Sequence, residues 1–241
     1  MARATRGVEV KAAGEEASAE ARGRRQREVL VAMMSQVFII MLGIGIVGPV
    51  TPLYAQSFGV GAAMVGSLTS AFGLARIVMN IPAGSLSERL GRRPLLILGP
   101  LVTAAAALLT GLAGRFEELI FFRFLQGLGS SAQTTAAMTV MADISDHEGR
   151  GRAMSLYQGS LLLGSGLGPT VGGLVAEHFG YRAPFFVYAA LAACAALWAL
   201  LRVPETRGYR ADTDRRATGR VQAKSSAGKV VWEQLTDLDF V

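Results

Sequence analysis

Six long apolar runs, short polar connections between them, and charge kept to loops and tails predict an all-α integral membrane protein with six transmembrane helices. The 241 residues are 51% hydrophobic and 17% charged, whereas a soluble domain carries about 25% charge. Mean hydropathy is +0.38. Glycine is frequent, at 29 residues, as it is in membrane helices.

The runs cover roughly 30–54, 60–83, 94–113, 118–141, 153–176 and 183–203, each near the about 20 residues that cross a bilayer as a helix. They are too long and continuous for barrel strands, and only helices or closed barrels satisfy their backbone in lipid. Ahead of the first run, Met1 to Glu28 mixes arginine with Glu9, Glu15, Glu16, Glu20 and Glu28. Its acids argue against a transit peptide, and the run that follows is too long for a signal peptide. Residues 1–28 therefore read as a disordered cytoplasmic tail and 29–206 as the six-helix domain. Beyond Pro204-Glu205-Thr206 the chain turns polar, so 207–241 reads as a cytoplasmic linker, the start of a central loop.

The connections Gln56 to Gly59, Gly84 to Pro94, Gly114 to Glu117, Asp143 to Arg152 and Glu177 to Arg182 are short, so consecutive helices run antiparallel. Lysine and arginine fall unevenly on alternate sides: 20 in the tails, the 84–94 segment and the 143–152 loop, against Arg115 and Arg182 opposite. Positive loops stay inside, so both termini are expected in the cytoplasm, with the helices in the plasma (inner) membrane. Arg76 and Arg123 alone among the cations lie within spans.

A net charge of +6 does not indicate nucleic acid binding, because the basic residues form no helical face or aromatic-interleaved patch. Cys194 is a single cysteine, so neither a disulfide framework nor a thiolate metal site follows. His147 and His178 stand apart from any ligand cluster. There is no nucleophile–base pair, and Gly164-Ser165-Gly166-Leu167-Gly168 lies in mid-span without the preceding strand of a dinucleotide loop. The chain reads as a non-enzyme without a cofactor or bound metal.

The most informative segment is Gly84-Ser-Leu-Ser-Glu88-Arg89-Leu-Gly91-Arg92-Arg93-Pro94. Its pattern, Gly-x-x-x-acid-Arg-x-Gly-Arg-Arg, resembles the loop between helices 2 and 3 of the major facilitator superfamily of secondary transporters. Four further segments fit the same family. Leu42-Gly43 followed by Pro49-Val50-Thr51-Pro52 is similar to the first-helix motif of its twelve-helix drug/proton antiporters. Arg123-Phe-Leu-Gln126-Gly127 is similar to the Arg-x-x-Gln-Gly motif of helix 4. Gly164, Gly168, Pro169, Gly172 and Gly173 resemble the antiporter motif Gly-x-x-x-Gly-Pro-x-x-Gly-Gly, although Ser155 stands where an upstream glycine is usual. Gly180 to Phe185 and Pro204-Glu205-Thr206 resemble later landmarks. The resemblance covers residues 30–206. It implies two inverted three-helix repeats forming the first half of the fold, with a second six-helix half or a second copy as partner. It also implies alternating-access transport of a small-molecule substrate, with efflux of amphipathic drugs by proton antiport the leading expectation. Alternatives are proton-linked movement of a metabolite, or a non-transporting membrane partner of a complete transporter. Helices 1 and 4 would line the cavity, helices 2 and 5 rock at the interface, and helices 3 and 6 lie outside.

Within that frame, Gly84 and Gly91 allow close approach and a sharp turn. Gly84, Glu88, Arg89, Gly91, Arg92 and Asp143 form the expected gating network, with Glu88, Arg92 and Asp143 pairing to join helices 2, 3 and 4. Arg89 and Arg93 fix topology or meet lipid headgroups, and an exposed pair there contributes little. Arg123 either faces a cavity or snorkels outward. Arg76 bonds carbonyls, pairs with an acid of the other half, or snorkels, with Asn80 on its face one turn on. Gln36, Gln126 and Gln133 are polar groups within spans, and Gln126 and Gln133 continue the Arg123 stripe. They line a water-filled cavity or join helices by hydrogen bonds. Gly164, Gly168 and Gly172 make a small-residue stripe for tight packing, with Pro169 breaking one backbone hydrogen bond. No acid lies between Glu28 and Glu88, or within helices 3 to 6 away from their ends, so either a proton carrier comes from the other half or the coupling is different.

Overall fold

The computed structural model describes residues 2–144 and 150–202; the linker reading of 207–241 lies outside the described residues. Seven helices occur among them: α1 (Ala2–Val47), α2 (Val50–Gln56), α3 (Ala62–Leu90), α4 (Arg92–Leu112), α5 (Phe116–Ile144), α6 (Arg150–Phe179) and α7 (Ala183–Arg202). The first span is divided between α1 and α2. Gly48 and Pro49 separate them, because proline lacks an N–H and its ring clashes with the carbonyl one turn back. The other five spans are single helices. Helix α1 includes residues 2–28 and runs on into the first span. Their alanine, glutamate and arginine content favours helix.

Five stretches are long and apolar enough to cross a membrane: Arg27–Gln56, Ala62–Ser87, Arg92–Leu112, Gly151–Phe179 and Ala183–Arg202. The remaining span, α5, is 29 residues long but carries Arg123, Gln126, Ser130, Ser131 and Gln133, all buried. Its polarity faces the bundle, and its neighbours provide the solvent.

The packing reproduces an inverted repeat. Helix α3 lies along α5 as α6 lies along α1; α4 lies along α5 as α7 lies along α1; and α4 meets α7. Exchanging the first three spans for the last three leaves this set unchanged, as an inverted repeat requires. Helices α3 and α6 are the least covered, and both present leucine, isoleucine and valine side chains outward, among them Leu74, Ile77 and Ile81 on α3 and Leu162, Leu163 and Leu167 on α6. Helices α4 and α7 pack into the core on one face and expose leucines on the other.

Small residues set how closely these helices approach. A Cβ at Gly164 would meet the Phe38 carbonyl oxygen at 2.7 Å, and at Gly168 and Gly172 the backbone of Gly45 and Ile46. The related contact of α5 on α3 is made by Gly127, whose Cβ would lie 2.6 Å from the Phe72 carbonyl oxygen. Gly99 and Gly129 face one another between α4 and α5. The ends are tied separately. Arg93 Nη2 donates to the Leu200 carbonyl at 2.9 Å, joining the start of α4 to the last turn of α7. At the opposite end Tyr54 Oη and Arg182 Nη2 both donate to the Ala113 carbonyl, at 3.2 and 3.3 Å.

Gly172→Ala drives a methyl group into the Ile46 carbonyl, whereas Gly173→Ala enters open space. Overpacking is expected to cost the first about 1–3 kcal/mol, while the second gains up to about 1 kcal/mol from alanine's helix preference. Thermal unfolding of the detergent-solubilised protein measures both, and equal melting would contradict the α1–α6 contact.

Candidate functional site

Arg123 sits two turns into α5 and is buried, 8% exposed. One Nη donates to Gln126 Oε1 at 3.0 Å, and the other donates to Thr51 Oγ1 on α2. The guanidinium carbon lies 5.8 Å from the ring centres of both Phe72 and Phe185. Cations over aromatic faces at such distances are attracted by the ring quadrupole. Arg123 therefore points inward, and the snorkelling alternative does not hold.

The network continues on both sides. Gln126 Nε2 donates to Thr110 Oγ1 at 2.9 Å, and Thr110 Oγ1 donates to the Ala106 carbonyl. Thr51 Oγ1 donates to the Val47 carbonyl at 2.6 Å. A single guanidinium thus joins α2, α5 and, through Gln126, α4. Helix periodicity placed Gln126 on the Arg123 face. Thr51 and Thr110 were not singled out; the first lies within the Pro-Val-Thr-Pro segment, but nothing local shows that its partner is 72 residues away.

Towards the 84–94 end, Arg76 on α3 is half-buried, with its guanidinium carbon 5.9 Å from the same Phe72 ring. Ser131 Oγ on α5 donates to Asn80 Oδ1 at 2.5 Å and lies 3.2 Å from the Arg76 carbonyl oxygen, and Thr135 Oγ1 also donates to Asn80 at 3.3 Å. Asn80 shares the Arg76 face, as its spacing predicts. Gln36 is fully buried on α1, and its Nε2 donates to the Leu96 carbonyl at 2.7 Å. Gln133 packs one turn along α4, against Gly99. Both glutamines thus stand against α4, apart from the Arg123 chain, and Gln36 acts as an interhelical tie.

In the 84–94 segment, Gly91 closes α3 and opens α4 in one residue, at φ 97°. That is backbone which glycine adopts without penalty. Arg92 is buried, 3% exposed, and Arg89 is exposed. The side chains of Glu88 and Asp143 lie outside the described residues, and the gating network with them. Arg93 meets a helix-terminal carbonyl of α7 rather than acting only as a topology charge. At Gly84 a Cβ would meet nothing within 4 Å among the described residues. The stripe of Gly164, Gly168 and Gly172 meets α1 as expected, while Gly173 points into open space. Helix α6 runs through Pro169 without interruption. Pro169 and Gly173 line a cleft of about 390 Å³ with Pro49, Val50, Leu53 and Glu177. Among the described residues no group of side chains could hold a metal ion.

A six-span bundle with inverted pairing, polar groups gathered inside and two open flanking helices is an integral membrane protein of the repeat-built transporter class. The chain belongs to the Major Facilitator Superfamily, whose family model matches residues 33–236. It is 30% identical over 181 residues to multidrug resistance protein 2 of Bacillus subtilis, covering 75% of this chain and 45% of that protein. It is 26% identical over 171 residues to the quinolone resistance protein NorA of Staphylococcus aureus, covering 71% and 44%. The fold matches a bacterial homologue of the human lysosomal transporter Spinster, inward-facing and unoccupied (TM-score 0.68, 20% identity, 75% of this chain and 43% of that one). It also matches the human organic anion transporter MFSD10 (TM-score 0.66, 20% identity, 75% and 48%). The chain spans about half the length of the curated relatives it matches. The family is one of transporters, not enzymes.

Gly91→Ala is expected to destabilise by about 1–3 kcal/mol, the cost of holding a residue with a Cβ in a sparsely populated backbone region. Gly84→Ala is expected to leave stability unchanged or raise it by up to about 1 kcal/mol. Unfolding midpoints of the two variants in detergent provide the check.

Proposed function

We propose that this chain is one half of a secondary transporter that exports amphipathic small molecules by alternating access, coupled to proton entry. The observation that carries the reading is Arg123. A guanidinium inside a membrane bundle is costly and marks a functional path by default, and here it is held by Thr51 and Gln126 between two aromatic rings. The relatives named for multidrug and quinolone resistance support export. Helices α3 and α6, least covered of the spans, would meet a second six-helix half or a second copy of the chain across their open apolar faces. The Glu88–Arg92–Asp143 network would lock that arrangement at the basic end. The excess of positive charge there supports a cytoplasmic side for it and for both termini, with the spans in the plasma membrane and lipid around them. No carboxylate lies deep within these spans, so the proton carrier would come from the other half.

The test uses everted membrane vesicles from cells carrying the native gene, energised with a proton gradient. A panel of amphipathic fluorescent dyes of negative, neutral and positive charge reports transport. Arg123→Gln is expected to lower the initial rate at least about tenfold at equal membrane abundance, as loss of one charge-assisted contact of more than ~1.4 kcal/mol would. Arg92→Ala is expected to reduce it severalfold through loss of gating. Undiminished transport by Arg123→Gln would overturn the reading, and transport that survives an uncoupler would overturn proton coupling.

A further inference from the structure

We propose that Arg76, Arg123, Tyr157 and Tyr188 form a recognition site for the carboxylate or sulfonate of an amphipathic, aromatic-bearing organic anion, with Phe72 as its apolar wall. The inference rests on the transport reading for its purpose, and on four observations for its chemistry.

First, two guanidiniums from different helices share one phenyl ring, at 5.9 and 5.8 Å from its centre. A ring of the ligand beside Phe72 would therefore bring its charged group between two cations.

Second, the described side chains of the surrounding spans supply no counter-charge. Of the described acids, Glu117, Glu118 and Glu177 lie at helix ends. Glu118 spends its carboxylate on the Gly114 and Arg115 N–H groups, at 2.9 and 3.3 Å. Among the described residues neither Arg76 nor Arg123 has an acid within ion-pair reach. Two unneutralised cations in a low-dielectric bundle attract an anion more strongly than they would in water.

Third, the hydroxyls of Tyr157 on α6 and Tyr188 on α7 are buried, 1% and 0% exposed, and have no hydrogen-bond partner among the described residues. Tyr188 lies within electrostatic range of both arginines and Tyr157 within range of Arg76. Buried hydroxyls without partners are exceptional, and a phenol near two cations is suited to donate to an oxyanion held there.

Fourth, the cluster is graded in access. Arg76 and Phe72 are half-buried, and Arg123 and Tyr188 are fully enclosed. The anion would enter at Arg76 and settle against Arg123, where Thr51 and Gln126 use only two of the five guanidinium N–H donors.

A carboxylate side chain of the second half could supply the same charge, and the test separates the two sources. The purified native protein in detergent is titrated by calorimetry with 2-naphthoate, 2-naphthamide and 2-naphthylmethylammonium, which share a ring system and differ in charge. Naphthoate is expected to bind at least about tenfold more tightly than the amide, and the ammonium more weakly than either. Arg76→Gln is expected to raise the naphthoate Kd about tenfold and leave the amide within about twofold, with Arg76→Lys restoring most of the loss. Tyr188→Phe is expected to weaken naphthoate a fewfold by removing one donor. No preference for the anion, as when a protein carboxylate already fills the site, would overturn the proposal. So would a naphthoate Kd indifferent to Arg76→Gln in a variant that elutes and melts like the parent. Arg76-dependent naphthoate binding without dye transport would leave the site standing and overturn the transport reading. Dye transport with charge-blind naphthoate binding would do the reverse.

Discussion

A guanidinium inside a lipid-embedded bundle has to be solvated by protein, and the helices around Arg123 are arranged to do that. Thr51 from α2 and Gln126 from α5 accept its hydrogen bonds, and Phe72 and Phe185 offer their faces. Each neighbour is anchored in turn, Thr51 on the Val47 carbonyl and Gln126 through Thr110 on α4. Such contacts need backbones close enough for short side chains to bridge them. Gly127 brings α5 against α3, and Gly99 with Gly129 brings it against α4. The least apolar span of the chain is therefore the one its neighbours enclose most intimately.

The same constraint explains the division of labour among the helices. Arg123, Gln126 and Gln36 sit where the first span, α4 and α5 meet, and Asn80 and Ser131 along the seam of α3 with α5, each with a hydroxyl, carbonyl or amide oxygen as partner. The apolar side chains of α3 and α6 are left outward, and each of these helices leans on one principal neighbour. A bundle built this way has a firm centre and two lightly held flanks. The rigid-body motion proposed above would use those flanks.

Much of this was legible in the residues. Span number, antiparallel order and the α6 glycine stripe followed from hydropathy, loop length and small-residue spacing, and the family resemblance from five motifs in order. The surroundings of Arg123 were not legible. Periodicity on one helix shows which residues share a face, as with Gln126, but not what that face meets, and Thr51 and Phe185 come from spans distant in sequence. Nor does a motif show what surrounds Gly84, where a Cβ would meet nothing within 4 Å among the described residues.

The central claim is that Arg123 is held from within the bundle and does not reach to the membrane surface. A double-mutant cycle of Thr51→Val and Arg123→Leu, read by unfolding in detergent, tests it most directly. A hydrogen bond to a buried charge predicts a coupling of about 1.5–3 kcal/mol between the two positions. Additive effects, within about 0.5 kcal/mol of zero coupling, would mean that the guanidinium is solvated elsewhere.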